Sequence, residues 1–456
     1  MAVTPDASAA APARASFADT LAVYLKRRVL VVVFLGFSSG LPLALSGSTL
    51  LVWMREAGVD LGTIGLFALV GTPYTVKFLW APLVDALDVP VLSRRLGRRR
   101  GWLLLAQLLL MAAILFLGAS DPSMSPLIVA VGALLVAAAS ATQDIVVDAF
   151  RVESLSESEQ AAGMAGYVAA YRIGMLASTA GALFLVSGFA GLFDLGRHAA
   201  WTAGYAAMAA LVLIGIATTL FATEPEKSAA AEASHARENT LARVVEAAVG
   251  AFAEFLSRDL AFVALAFVVL FKFTDALAGA MTAPFVIDLG FSRNEYAAII
   301  KGVGLAATLI GGFAGGFVAR VWSLPVSLWI GGVLQAVSAL AFSWQAIVGH
   351  DAAWLTFAIV AENFTSAIGT VIFVAYLSAL CRNPLHTATQ YALLTALAAV
   401  GRTYLSSSAG FIAAAAGWPG FFALCAVAGL PALGLLAFLQ LRRHFDGLVP
   451  AKDDQP

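Results

Sequence analysis

The sequence predicts an all-α membrane protein: twelve transmembrane helices arranged as two pseudo-symmetric bundles of six. Three observations predict it. Of the 456 residues, 61% are hydrophobic and 12% charged, against about 25% charged in a water-soluble domain. Apolar runs of bilayer-spanning length, about 20 residues each, recur twelve times. The only long polar stretch between runs, 223–258, leaves six on each side.

The first run, 28–53, follows the basic flank Lys26-Arg27-Arg28 and is bent by Pro42. It is too long for a signal-peptide core and is expected to be retained. Runs 62–84, 101–119, 126–148, 160–189 and 200–222 complete the first half. Runs 259–287, 296–319, 324–346, 353–379, 386–413 and 420–440 form the second. Trp53, Trp102, Trp201 and Trp354 stand near run ends, as interfacial anchors do. Residues 1–27 are expected to be a disordered cytoplasmic segment, 223–258 a cytoplasmic linker with a surface helix over 240–256, and 441–456 a cytoplasmic tail.

Orientation follows from the basic residues. With the N-terminus inside, inner segments hold 19 of the 27 Lys and Arg, and outer loops hold Arg55, Arg197 and Arg293. Both termini are therefore expected in the cytoplasm. A net charge of −1 argues against a nucleic-acid partner. Cys381 and Cys425 lie too far apart in sequence for a cysteine metal site or disulfide scaffold, and neither metal nor cofactor is expected.

An internal repeat supports duplication. Gln160 and Arg172 in the fifth run match Gln390 and Arg402 in the eleventh, offset by 230. A small tract ending in glycine follows each arginine: Ser178-Thr179-Ala180-Gly181 and Ser406-Ser407-Ser408-Ala409-Gly410. Duplicated six-helix halves are a transporter architecture, with the substrate site between them near the midplane.

Gly36-Phe37-Ser38-Ser39-Gly40 matches a nucleophile elbow, but it lies inside an apolar helix rather than at a strand-to-helix turn. Close helix packing explains its small residues, as it does Gly311-Gly312 and Gly315-Gly316. An enzyme is therefore not expected. The inner loop pairs Asp85 with Arg94, Arg95, Arg98, Arg99 and Arg100, charges suited to a gate latch as well as to fixing topology.

Charges within runs are the strongest functional signal, because each is costly unless paired or hydrated. The cations are Lys77, Arg172, Lys272, Lys301 and Arg402; the anions are Asp144, Asp148, Asp275 and Glu362. Lys272 and Asp275 are spaced to pair with each other, and structural pairing is the general alternative to a transport role. Ser140, Asp144, Asp148 and Arg151 form one polar stripe that must face a cavity or a partner helix. No histidine lies inside a run, His386 standing only at the edge of one, so a proton relay would use Asp144, Asp148, Asp275 and Glu362.

Several strings carry a family resemblance: Gly36 to Leu45, Lys77 to Leu83, Arg98 to Leu104, Ala141 to Ile145 and Tyr171 to Leu176. Phe271-Lys272, Asp275-Ala276, Glu362-Asn363, Ala388 to Leu394 and Ala399 to Arg402 continue it. The chain resembles the AmpG-type muropeptide permeases of the major facilitator superfamily, although an insertion separates Asp85 from the arginines of the superfamily loop motif. The resemblance implies a major facilitator fold in the bacterial inner membrane. It also implies proton-driven import of anhydro-muropeptides for peptidoglycan recycling, which feeds β-lactamase induction in some bacteria. The expected partners are muropeptide, protons and the lipid bilayer, and the expected state is a monomer. Cationic Lys77, Arg172, Lys272 and Arg402 would neutralise substrate carboxylates. Gly40, Gln143, Tyr171, Asn363, Gln390 and Tyr391 complete the candidate substrate contacts. Competing readings are a carrier of another anionic metabolite such as acetyl-coenzyme A, an exporter, and a non-transporting receptor or scaffold.

The charge asymmetry makes a direct prediction. In intact cells, a cysteine introduced beside Arg98 is expected to resist impermeant external thiol reagents, and one beside Arg293 to react. The opposite labelling pattern would overturn the orientation.

Overall fold

The computed structural model describes residues 23–225, 256–380, 387–446 and 448. Most of the expected linker, with most of its surface helix, lies outside the described residues. The first six apolar helices are α1 (Arg27–Glu56), α2 (Leu61–Leu79), α3 (Arg98–Ala119), α4 (Pro126–Ser154), α5 (Gly166–Leu192) and α6 (Arg197–Phe221). After the linker come α7 (Ala261–Asp288), α8 (Arg293–Val321), α9 (Leu324–Val348) and α10 (Ala352–Leu380).

The last two expected runs form one continuous apolar stretch, Leu394–Leu441, of 48 residues. At 1.5 Å per residue that is about 72 Å of helix, enough for two crossings of a 30 Å core. Gly417, at φ 67°, breaks it, a conformation in which glycine is unstrained. We call the segment from Thr387 to this break α11 and the segment from the break to Leu441 α12. Past α12, Tyr376 of α10 meets the His444 ring, so α12 ends at the inner end of α10. The sequence expectation of twelve passes thus holds, with a tight reversal where a loop was expected.

Local chemistry sets the helix ends. Asp60 accepts from the Thr63 N–H at 2.8 Å and caps α2. The Thr63 hydroxyl also holds the Asp60 carboxyl below its ordinary pKa. Ser292 and Glu295 form a capping box at the start of α8. Within the first half, α1 and α5 touch backbone to backbone. A Cβ at Gly36 would lie 2.6 Å from the Tyr167 carbonyl, and one at Gly40 would overlap Tyr171. The small residues of the elbow-like string are therefore packing residues.

We call the end opposite Arg98–Arg100 the outer end. There the halves meet: the last turns of α1 pack on α7, the start of α2 on α11, and α5 on α8. Each helix of the last two pairs carries a non-α turn. These are a 3₁₀ turn at Phe67–Gly71 in α2 and π turns at Ala177–Gly181, Ala297–Val303 and Gly401–Leu405 in α5, α8 and α11. The turns of α5 and α8 touch, as do those of α2 and α11. Such turns concentrate at functional positions.

The α2–α11 crossing rests on glycine. A Cβ at Gly65 would lie 2.7 Å from the Gly410 nitrogen. Gly65→Leu is expected to lower stability by about 1–3 kcal/mol, the usual cost of overpacking. Gly312→Leu, with open space around it, should leave the melting temperature unchanged. Equal effects of the two would contradict this packing.

Candidate functional site: a polar cavity between the halves

A cavity of about 300 Å³ lies between the two halves. Arg172 and Thr179 of α5 line one wall; Lys301, Thr308, Glu362 and Asn363 of α8 and α10 line the other. Arg172 precedes the π turn of α5, and Lys301 lies within that of α8. The turns in contact thus bring one cation from each half to a shared space.

The second wall is internally bonded. The Asn363 amide donates to Glu362 Oε2 at 2.8 Å and to the Ile359 carbonyl at 3.0 Å. Thr308 Oγ1 donates to Asn363 Oδ1 at 3.2 Å. Lys301 Nζ stands 5.7 Å from the Tyr296 ring centroid. Among the described residues, neither Arg172 nor Lys301 has an acidic partner within 4.0 Å. Arg402, the repeat equivalent of Arg172, also has none, and Tyr171 lies within electrostatic reach of both arginines.

The other in-run charges lie in two clusters. In the second half, Lys272 pairs with Asp275, and its Nζ also reaches Thr370 Oγ1 at 3.1 Å and Gln335 Oε1 at 3.4 Å. Ser366 donates to the same carboxylate at 2.6 Å. In the first half, Gln143 accepts from Ser38 at 3.3 Å and is fully buried. Around it, among the described residues, Ser39, Tyr74, Ser140 and Asp144 each keep a buried polar atom without a partner at hydrogen-bond geometry. Lys77 is the cation facing Asp144, with Asp148 also in electrostatic reach. Asp148 itself is half-exposed and lies 3.9 Å from Arg151.

At the inner end, Arg99 holds Glu153 with contacts of 2.6 and 3.0 Å. The backbone N–H groups of Arg99 and Arg100 donate to Glu224 at 2.8 and 3.1 Å. Arg100 also donates to the Thr219 and Leu220 carbonyls. These bonds tie α3 to α4, to α6 and to Glu224 at the start of the linker. Arg94 and Arg95 are exposed on the short helix Leu92–Leu96, and Arg98 opens α3. The side chains of Asp85, Gln390 and Tyr391 lie outside those described.

Sequence reasoning missed the outer closure. Arg55 at the end of α1 grips Asp288 at the end of α7, with Nη2 to Oδ2 at 2.8 Å. Beside it, Arg293 donates to both oxygens of Glu56 at 2.7 and 2.9 Å. Trp418 donates to Asp288 and Trp201 to Glu56, both at 3.0 Å. The available signal was complementarity: Arg55-Glu56 ends the first helix of one half, and Asp288 with Arg293 flanks the first turn after the other.

Comparison with known proteins follows the same lines. The Major Facilitator Superfamily model matches residues 30–406. The chain is 38% identical to the anhydromuropeptide permease of Escherichia coli, over 91% of this chain and 80% of that one. It is 35% identical to a Rickettsia felis protein described as an AmpG transporter, over 91% and 97% of the two chains. A nucleoside transporter structure superposes with a TM-score of 0.68 at 11% identity, covering 90% of this chain and 99% of its own. A D-xylose–proton symporter gives 0.63 at 14% identity, covering 90% and 97%. These last two matches establish likeness of fold.

The outer ion pairs predict a charge-swap result. With a cysteine at Ser48, which lines the cavity, Arg293→Glu is expected to raise modification from the outer side several-fold. Adding Glu56→Arg should lower it again, the non-additivity expected of a direct pair. A double variant as reactive as the single one would remove the pair from the gate.

Proposed function

The chain belongs to the Major Facilitator Superfamily and, within it, to the family of the anhydromuropeptide permeases, and from that membership we propose that it imports anhydro-muropeptides. Transport runs from periplasm to cytoplasm, by alternating access of the central cavity, and serves peptidoglycan recycling. The observation that carries this reading is the cavity between the halves, where, among the described residues, neither Arg172 nor Lys301 has an acid within 4.0 Å. A muropeptide brings what such a site lacks: carboxylates for the cations, and hydroxyl and amide groups for Asn363, Thr308 and Tyr171. No catalytic step is proposed.

The proposed rocking units are 28–222 and 259–440, joined by the cytoplasmic linker 223–258, in a monomer whose termini both face the cytoplasm of a bacterial inner membrane. Lys77, Gln143, Lys272, Arg402, Gln390 and Tyr391 are proposed to serve substrate as the cavity changes shape, and the Asp85–arginine loop to latch the inner end. Protons from the membrane gradient drive accumulation. Asp144, Asp148, Asp275 and Glu362 are the proposed carriers, because arginine keeps its proton at any biological pH. Asp144 supports this role best: among the described residues, one of its oxygens is buried without a hydrogen-bond partner.

Uptake of labelled anhydro-muropeptide into proteoliposomes tests the reading. Accumulation is expected with an inward proton gradient and only equilibration without one. Changing at least one of the four acids to its amide should abolish accumulation while leaving counterflow exchange intact. If all four amide variants still concentrate substrate, the carboxylate relay is wrong. If the wild type takes up none, the substrate is wrong.

A further inference from the structure

Lys301 is the one in-run cation absent from the substrate contacts expected from sequence, yet it lines the cavity. It lies in the π turn Ala297–Val303, which is packed against the π turn Ala177–Gly181 of the other half. A π turn shifts the side-chain register of a helix by one residue, and here it leaves Lys301 on the cavity wall. Arg172 lines the same cavity from the opposite half. The one anion on the lysine's wall, Glu362, is bonded to Asn363 and is not within 4.0 Å of Lys301 among the ion pairs of the described residues. Two cations therefore face one polar space, each without a counter-ion in contact.

We propose that Arg172 and Lys301 form a single carboxylate site that bridges the halves, with Lys301 the specificity-determining contact on the C-terminal side. The guanidinium supplies a planar two-donor fork and the ammonium a mobile point charge. A carboxylate held by both receives charge-assisted hydrogen bonds from two bodies that must move relative to one another. Substrate binding then ties α5 to α8 at the level of their touching turns. The site rests on the muropeptide reading for its ligand: even a peptide-free anhydro-disaccharide carries the lactyl carboxylate of its muramic unit.

The test uses the purified full-length protein and two probes, N-acetylglucosaminyl-anhydro-N-acetylmuramic acid and its lactyl carboxamide. The wild type is expected to bind the acid about tenfold or more tightly than the amide, the scale of a lost charged hydrogen bond. Lys301→Gln should bind the amide as the wild type does and lose the preference for the acid; Lys301→Arg should keep most of it. Lys301→Gln with an unchanged preference, or with equal loss for both probes, would overturn the site. Sulfate protection of a cysteine at Thr282, on the cavity wall, separates the two readings. If the wild type binds neither disaccharide but sulfate protects in a Lys301-dependent way, the site stands and the muropeptide reading falls. If sulfate gives no such protection either, both fall.

Discussion

A charge inside a bilayer must find a partner or water, and the arrangement of this molecule follows from how its in-run charges meet that demand. Lys272 and Asp275 meet it together, one turn apart, with Gln335, Ser366 and Thr370 completing the shell. Asp148 and Arg151 meet it near the inner end of α4. Arg172, Lys301 and Arg402 find no acid in contact among the described residues, so they require a hydrated space. For Arg172 and Lys301 the cavity between the halves is that space, and it limits where the halves can pack.

What remains for packing is the outer end. There, glycine removes the side chains that would hold α2 and α11 apart, and two ion pairs join α1 to α7 and α8. Their side chains are only 14–25% exposed, so the cost of desolvation offsets much of each pair's Coulombic gain. Closure at this end is thus built from several separate contacts. The non-α turns at the two crossing points place irregular backbone where the halves touch, and backbone of that kind is tolerated at membrane depth where it faces protein or a water-filled cavity.

Much of this was legible in the sequence, for reasons that differ by feature. Apolar run length reports bilayer thickness directly, so the spans were readable even where only the break at Gly417 separates the last two. The i,i+3 spacing of Lys272 and Asp275 is local and announced their pairing. The repeat of Arg172 and Arg402 was readable as duplication, and both residues come within electrostatic reach of Tyr171. The outer gate was not readable, because Arg55–Asp288 and Glu56–Arg293 join residues more than 200 positions apart. Lys301 was visible as a charge but not as a cavity residue, since its orientation depends on a π turn that helical periodicity does not encode. The inner arginines read as a latch. In this state, Arg99 and Arg100 hold Glu153 of α4 and Glu224 at the start of the linker, a choice among acids that only the folded chain reveals.

The central claim is that one polar cavity between the halves, closed at its outer end, is where substrate binds. Modification of a cysteine at Thr282 by an impermeant reagent applied from the inner side measures this directly. The account predicts that the cysteine reacts and that saturating anhydro-muropeptide slows the reaction several-fold. A rate unchanged by a muropeptide that the same preparation transports would contradict it.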